Sequence, residues 1–303
     1  MVSTRANTFE EAARALIEHS YAIVQLPKDV LKASDTILEE GPRFFDLKDD
    51  VKKAAASSSG VLDEGYLVFG AEKDKITGRP DLQETFKTWF RYAADPKIQS
   101  WAKNCKFHQV MSAGLDPYRG FVDNLFKALR TEIDPTYVVG EEFIFDIRGA
   151  SYLQINFSRP AQHYRDTIMD SHEDGHLLTI IRPTEQGLMI CPGSLVENPS
   201  AQNPVGVFKQ DGELQPVDVQ DGEVLLVPSS PTFHLTGGLV KPLFHAVASS
   251  DAKIRQSLML FVNPTNEGKP IMPWIQTEQN KGVTDIHQVI DAVNYQHLER
   301  HEI

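Results

Sequence analysis

Cysteine is almost missing from this sequence: Cys105 and Cys191 are the two it has. Two thiols build neither a disulfide framework nor a four-cysteine zinc site, and such sparse usage fits a reducing compartment. A cationic excess is missing as well. Lys plus Arg total 30 against 42 for Asp plus Glu, a formal net charge of −12. Nucleic acids and anionic membranes are both held by cationic surfaces, so neither is an expected partner. No stretch approaches the ~18 apolar residues of a membrane-spanning helix. The opening MVSTRANTFEEAARALIEHS puts Glu10 and Glu11 where a signal peptide needs its apolar core, so no secretion signal and a cytoplasmic location are expected. Internal repeats and low-complexity tracts are also absent.

What is present is ordinary for a globular protein: 303 residues, 41% hydrophobic and 24% charged. A chain this long can bury a core without disulfides or structural metal. Thr8 with Glu11 makes a capping-box pattern, and Phe9, Ala12, Ala13, Leu16 and Ile17 follow helical spacing. YAIVQLP (21–27) reads as a strand. A second helix runs from about Val30 to a stop at Gly41-Pro42, and 44–56 reads as a short one. Tyr66 to Phe69 and Thr85 to Tyr92 are strand candidates, and Tyr118, Phe121, Val122, Leu125, Phe126 and Leu129 mark one helical stripe. From about Ser151 the texture changes to nine short β runs: SYLQINF, LLTII, GLMIC, VGVFK, ELQPVDV, EVLLV, FHLT, LFHAVAS and SLMLFV. A final amphipathic stretch carries Ile286, Val289, Ile290 and Val293. The expected fold class is mainly β with N-terminal helices: a mostly helical region over 1–135 packed on a β core over 136–303, as one integrated unit.

The chemistry concentrates in MDSHEDGHLLTII (169–181). As a helix, His172-Glu173-x-x-His176 matches the H-E-x-x-H pattern of zinc hydrolases, with Glu173 as base. Gly175 in mid-helix costs ~1 kcal/mol against that reading, and LLTII directly after is strand-like. As a strand, side chains alternate faces, so His172 and Asp174 share one side and Glu173 points away. His-x-Asp is two-thirds of the 2-His-1-carboxylate set of non-haem Fe(II) oxygenases, and it needs a second histidine from another strand. His234 and His245 are both available. His245 is favoured by Arg255-Gln-Ser257 ten residues on, because a strand puts that arginine fork and that hydroxyl on one face, suited to a carboxylate.

These parts together resemble the isopenicillin N synthase-like branch of the Fe(II)/2-oxoglutarate-dependent oxygenases. The family pattern is His-x-Asp, some tens of residues, His, about ten more, then Arg-x-Ser. Flanking text is similar too: DGELQPVDVQDGEVLLVPSSPTFHLTGG and FFDLKDDVKKA resemble its core strands and its N-terminal helical region, and the likeness spans about residues 8–265. The resemblance implies a double-stranded β-helix (jelly roll) with a helical layer, and Fe(II) held by His172, Asp174 and His245. It implies 2-oxoglutarate and O2 as co-substrates, with oxidative decarboxylation to succinate driving attack on a substrate C–H bond. Arg255 and Ser257 would hold the co-substrate's far carboxylate. The family often carries Asn-x-Tyr in the strand before the triad; here Asn156 is kept and Ser158 stands where the Tyr would be. Members that use no 2-oxoglutarate turn Arg-x-Ser to the substrate instead.

The expected substrate is a small molecule, an amino acid or natural-product intermediate by resemblance, destined for hydroxylation, desaturation or ring formation. Tyr152, Gln154 and His234 are candidates for contacting it from strands near the metal. Arg79, Lys87, Trp89 and Arg91 are candidates from a long polar segment that could form a wall or lid, or equally a solvated face. A zinc hydrolase and a metal-free jelly-roll binding protein are the rival readings.

Overall fold

The computed structural model describes residues 2–56, 64–74, 77–89, 96–138, 150–160, 163–209, 212–264 and 270–293. The helices are α1 (Phe9–His19), α2 (Lys28–Phe45), α3 (Asp49–Lys53), α4 (Pro96–Ala102), α5 (Lys106–Ile133), α6 (Ser230–Leu235) and α7 (Ile286–Val293). The strands of the first half are β1 (Arg5–Ala6), β2 (Ala22–Gln25), β3 (Gly65–Leu67) and β4 (Glu84–Trp89). Those of the second half are β5 (Tyr152–Ser158), β6 (Thr167–His172), β7 (Leu178–Pro183), β8 (Leu188–Cys191), β9 (Leu195–Glu197), β10 (Val207–Phe208), β11 (Gln215–Pro216), β12 (Glu223–Pro228), β13 (Phe244–Ala248) and β14 (Arg255–Val262).

An eight-stranded sheet in the order β1-β2-β12-β7-β14-β5-β4-β3 faces a four-stranded sheet, β11-β8-β13-β6. Strands of the first half flank those of the second in the large sheet: β2 pairs with β12 and β4 with β5. Its two faces bury two cores, as the period-two alternation of a strand requires. Leu153, Ile155 and Phe157 of β5, with Leu258, Leu260 and Val262 of β14, pack against the helices. Tyr152, Met259 and Phe261 turn the other way, towards Ile168, Leu188 and Ile190 of the small sheet. The helical layer is led by α5, 28 residues long, whose Tyr118, Phe121, Val122, Leu125, Phe126 and Leu129 are all buried. The protein is therefore mixed helix and strand, with helices as prominent as strands, and "mainly β" understates its helical layer.

Three local expectations are corrected. FHLT is not a strand: Ser230–Leu235 is helical, because Ser229 in extended conformation and a proline in the first turn start a helix there. The second helix does not stop at Gly41-Pro42 but continues to Phe45. Pro42 has no N–H for the Leu38 carbonyl, and Gln256 Nε2 of β14 donates to that carbonyl instead, at 3.0 Å. Gly41 lets the sheet come this close, since a Cβ there would lie 2.0 Å from Gln256 Oε1. The strand read as 85–92 is observed as Glu84–Trp89, and residues 90–92 lie outside the described residues. Helix α4 and strand β9 are not legible in the sequence pattern.

Candidate metal centre and co-substrate site

His172 closes β6 and His245 lies in β13, and the antiparallel register makes them direct partners. Opposite residues of such a pair project on one face. Their rings sit 4.4 Å apart, centroid to centroid. Asp174 follows two residues after His172, where the strand has ended and Gly175, at φ +77°, turns the chain. Its Oδ1 lies 3.2 Å from His172 Nε2 and 3.6 Å from His245 Nε2. One ligand atom from each of the three residues falls within 4.8 Å of the others. Adjacent ligands roughly 2.1 Å from one metal stand about 3 Å apart, so this donor set fits a first-row divalent ion bound on one face. His172 Nδ1 is 2.8 Å from the Asp170 carbonyl, which can only accept. That contact fixes the ring and aims Nε2 at the cluster.

Asp174 stabilises charge on the histidines, while the two rings compete for it. Burial opposes a charge on His172, but its bond to Asp174 and that carboxylate's charge outweigh it, and the imidazole is pushed up to about 9. Burial works against ionised Asp174 too, yet His245 and His172 hold its carboxyl well below the usual range. Burial, joined by the charge of His172, outweighs the pull of Asp174 on His245 and pushes it down to about 4.

The cluster opens on a cavity of about 840 Å³ between the two sheets, within the range of small-molecule sites. Arg255 and Ser257 of β14 line the same cavity. Arg255 Nη1 donates to Ser257 Oγ at 2.8 Å and Nε to the Gln186 carbonyl at 3.2 Å. Its Nη2 is buried with no hydrogen-bond partner among the described residues. Burial pushes the guanidinium down to about 10, so it is still a cation at neutral pH. A buried cation with an unmet donor calls for an anion, and a carboxylate matches its fork.

The other candidates divide. Asn156 and Gln154 line the cavity, with Gln154 Nε2 donating to Asn156 Oδ1 at 2.8 Å. Tyr152 lines it too, stacked between Trp89 at 4.0 Å and Phe261 at 4.7 Å. Lys87 faces the cavity in an ion pair with Glu72 at 2.8 Å. Trp89 stands behind Tyr152 and outside the lining. Ser158 and Arg79 are not brought in. Ser158 Oγ approaches the Arg255 carbonyl at 3.5 Å, and Arg79 pairs with Asp170 at 2.6 Å on the outside. His234 is a correction: on α6 rather than a strand, its Nε2 meets the Pro204 carbonyl at 3.1 Å, away from the cavity. Arg91 lies outside the described residues.

The H-E-x-x-H reading fails on geometry, because residues 172–176 form a strand end and a turn rather than a helix. Glu173 Oε1 accepts the Ser230 backbone N–H at the start of α6. His176 holds Asn263 through Nδ1 at 2.9 Å and meets the Tyr152 hydroxyl through Nε2 at 3.3 Å. Sequence reasoning missed His176, Glu72, Asp81 and Gln83 as cavity residues, and Glu173, expected to point away, borders the cavity as well because β6 ends before it. A signal existed for two of them: Asp81, Gln83 and Lys87 sit at odd positions of DLQETFK, the spacing of one strand face.

No protein-family model matches the sequence, and no curated protein is similar to it. Solved structures are similar in fold. A full-length Neurospora crassa protein in complex with alpha-KG aligns with a TM-score of 0.71 at 12% identity, over 95% of this chain and 90% of that one. A Caulobacter crescentus protein described as a 2OG-Fe(II) oxygenase family member aligns with a TM-score of 0.71 at 16% identity, over 95% and 93%. Arabidopsis thaliana dioxygenase for auxin oxidation 1 in its 2-oxoglutarate complex aligns with a TM-score of 0.63 at 15% identity, over 90% and 94%. The chain has the fold of the Fe(II)/2-oxoglutarate oxygenases.

Proposed function

We propose that this protein is an Fe(II)- and 2-oxoglutarate-dependent oxygenase acting on a C–H bond of a small molecule. One observation carries the reading: a His-Asp-His cluster and a buried arginine with an unmet donor share one cavity. In this reading the two sheets are the walls of a double-stranded β-helix, and the regions before and after residue 135 work as one unit. The pairing of β2 with β12 and of β4 with β5 supports that.

His172 and His245 offer Nε2 and Asp174 a carboxylate oxygen, leaving the cavity side of the metal free for other ligands. Fe(II) with 2-oxoglutarate and O2 supplies the oxidising power, and the co-substrate leaves as succinate and CO2. Arg255 takes the far carboxylate of 2-oxoglutarate, and Ser257 holds the guanidinium in place. Asn156 and Gln154 form the polar wall beside it, and Tyr152 faces the substrate space. Ile181, Leu188, Met259 and Phe261 keep that space dry. Complexes of the same Neurospora crassa protein hold thymine or 5-formyluracil beside alpha-KG, which supports a substrate of similar size on this fold.

The test is oxygen uptake and succinate formation by Fe(II)-loaded protein given 2-oxoglutarate. Co-substrate turnover that stops when iron is withheld is the expected result. Substrate oxidation with O2 but without 2-oxoglutarate would make the protein an oxidase, with Arg255 holding the substrate's own carboxylate. No metal-dependent turnover of either kind would sink the reading.

A further inference from the structure

The segment before β4 carries polar groups that neither the metal nor the co-substrate uses. Asp81 and Gln83 both line the cavity and are 7% and 4% exposed. Asp81 Oδ1 and Gln83 Nε2 are buried without a hydrogen-bond partner among the described residues. An acceptor and a donor left unmet on the wall of one cavity cost stability that a folded chain keeps only against some return. The segment is also held rigidly. Leu82 N–H donates to the Ile168 carbonyl at 2.9 Å, and Arg165 Nη2 donates to the Pro80 carbonyl at 2.7 Å. Asp81 N–H donates to the Glu72 carbonyl at 2.9 Å, and the Gln83 carbonyl accepts from Gly70 N–H at 3.2 Å. The backbone is satisfied while the side chains are not, which is how a pre-organised recognition surface is built.

We propose that Asp81 and Gln83 recognise the substrate through an amide-type edge, an N–H beside a carbonyl oxygen. The inference rests on the oxygenase reading, since it names the substrate class for the same cavity. The Asp81 carboxylate accepts the N–H, and the Gln83 amide donates to the carbonyl. An ammonium group offers donors alone and would leave Gln83 unmet. A ketone offers an acceptor alone and would leave the ionised Asp81 carboxylate unmet. The pair therefore selects lactams, ureides and other cyclic or terminal amides over amines and simple ketones. A site built to hydrogen-bond a polar pair rejects analogues that lack one member.

Three matched probes test this: 2-pyrrolidinone, N-methyl-2-pyrrolidinone and pyrrolidine. Binding is read by saturation-transfer NMR on the full chain, with and without added metal and 2-oxoglutarate. Wild-type protein is expected to bind 2-pyrrolidinone at least about tenfold more tightly than either analogue. Gln83→Met and Asp81→Leu are each expected to remove about tenfold or more of that affinity. Gln83→Met keeps the side-chain volume, so it carries the test if Asp81→Leu does not fold. Equal binding of the three probes, no binding of any, preference for pyrrolidine, or lactam binding unchanged in Gln83→Met would each overturn the proposal. The probes report without turnover. Selective lactam binding by a protein that forms no succinate would leave the amide-edge reading standing and remove the oxygenase reading. Succinate formation without lactam selectivity would do the reverse.

Discussion

The two sheets differ in how their polar side chains are held. On the small sheet and its exit turn, His172, Asp174 and His245 lean on one another, each ring nitrogen within 3.6 Å of the shared carboxylate oxygen. On the large sheet and the segment leading into it, Arg255, Gln83 and Asp81 each keep a buried polar atom with no partner. The first group is tied together through one carboxylate oxygen, with Asp174 Oδ2 and His245 Nδ1 left without a hydrogen-bond partner among the described residues. The second is stable in spite of itself, because burying unmet donors and acceptors is costly. A site can thus hold one end by mutual attraction and leave the other in deficit, and the deficit is what a ligand repairs.

The largest test of this contrast is removal of a histidine from the small sheet. His245→Ala should abolish retained iron and lower succinate formation by about a thousandfold or more, with far-UV circular dichroism unchanged. Iron content after desalting and succinate yield are the measurements. An alanine variant that keeps both would end the ligand assignment.

Asp81 tests the cost on the other side. Burial, with help from the charge of Glu72, pushes its carboxyl up to about 7 in the folded protein. The unfolded chain ionises near pH ~3.9. A raised acid contributes its full stability below the unfolded value and loses it as pH rises through the folded one. Wild type should therefore lose about 2–4 kcal/mol by pH 8, at roughly 1.4 kcal/mol per unit. Asp81→Asn removes that loss. Its urea midpoint should exceed wild type at pH 8, and the gap should close towards pH 4. A gap that does not change with pH would mean the carboxyl is comfortable where it is.

Arg255→Lys keeps a cation but loses the fork. Apparent affinity for 2-oxoglutarate, from titrated succinate formation, should fall about tenfold or more. An unchanged value would place the co-substrate elsewhere. The smallest effect is expected at Glu173, whose carboxylate meets the N-terminus of α6. Glu173→Gln should cost about 1 kcal/mol in stability and leave iron content unaltered. Loss of chemistry with retained metal and fold would return Glu173 to the role of a base.

Particular residues explain how much of the molecule is legible in its sequence. Arg255 and Ser257 are legible because a strand's period of two is a linear fact, and His172, Asp174 and His245 through their fixed spacing, although β6 ends at His172 and a turn carries Asp174 into the cavity. Helix α6 misleads because Phe233, Leu235 and two threonines look like a strand, while Ser229 and Pro231 carry the stronger local instruction to start a helix. Gly41-Pro42 misleads because the partner that replaces the lost hydrogen bond, Gln256, lies 218 residues away along the chain. Asp81 and Gln83 share the odd-position spacing of Lys87, but what marks them out is the lack of a partner, and no sequence shows that.

Gln256 sits between Arg255 and Ser257. Two neighbours face the cavity, and the residue between them reaches the opposite way to a carbonyl of α2. A slip of β14 by one residue would turn the arginine out among the helices and swing the glutamine into the cavity, breaking the helix anchor and the carboxylate site together. The reading frame of this strand is therefore checked from both sides. A misaligned chain gains nothing from either, so one-residue insertions or deletions within 255–257 should behave as folding defects rather than as weakened enzymes.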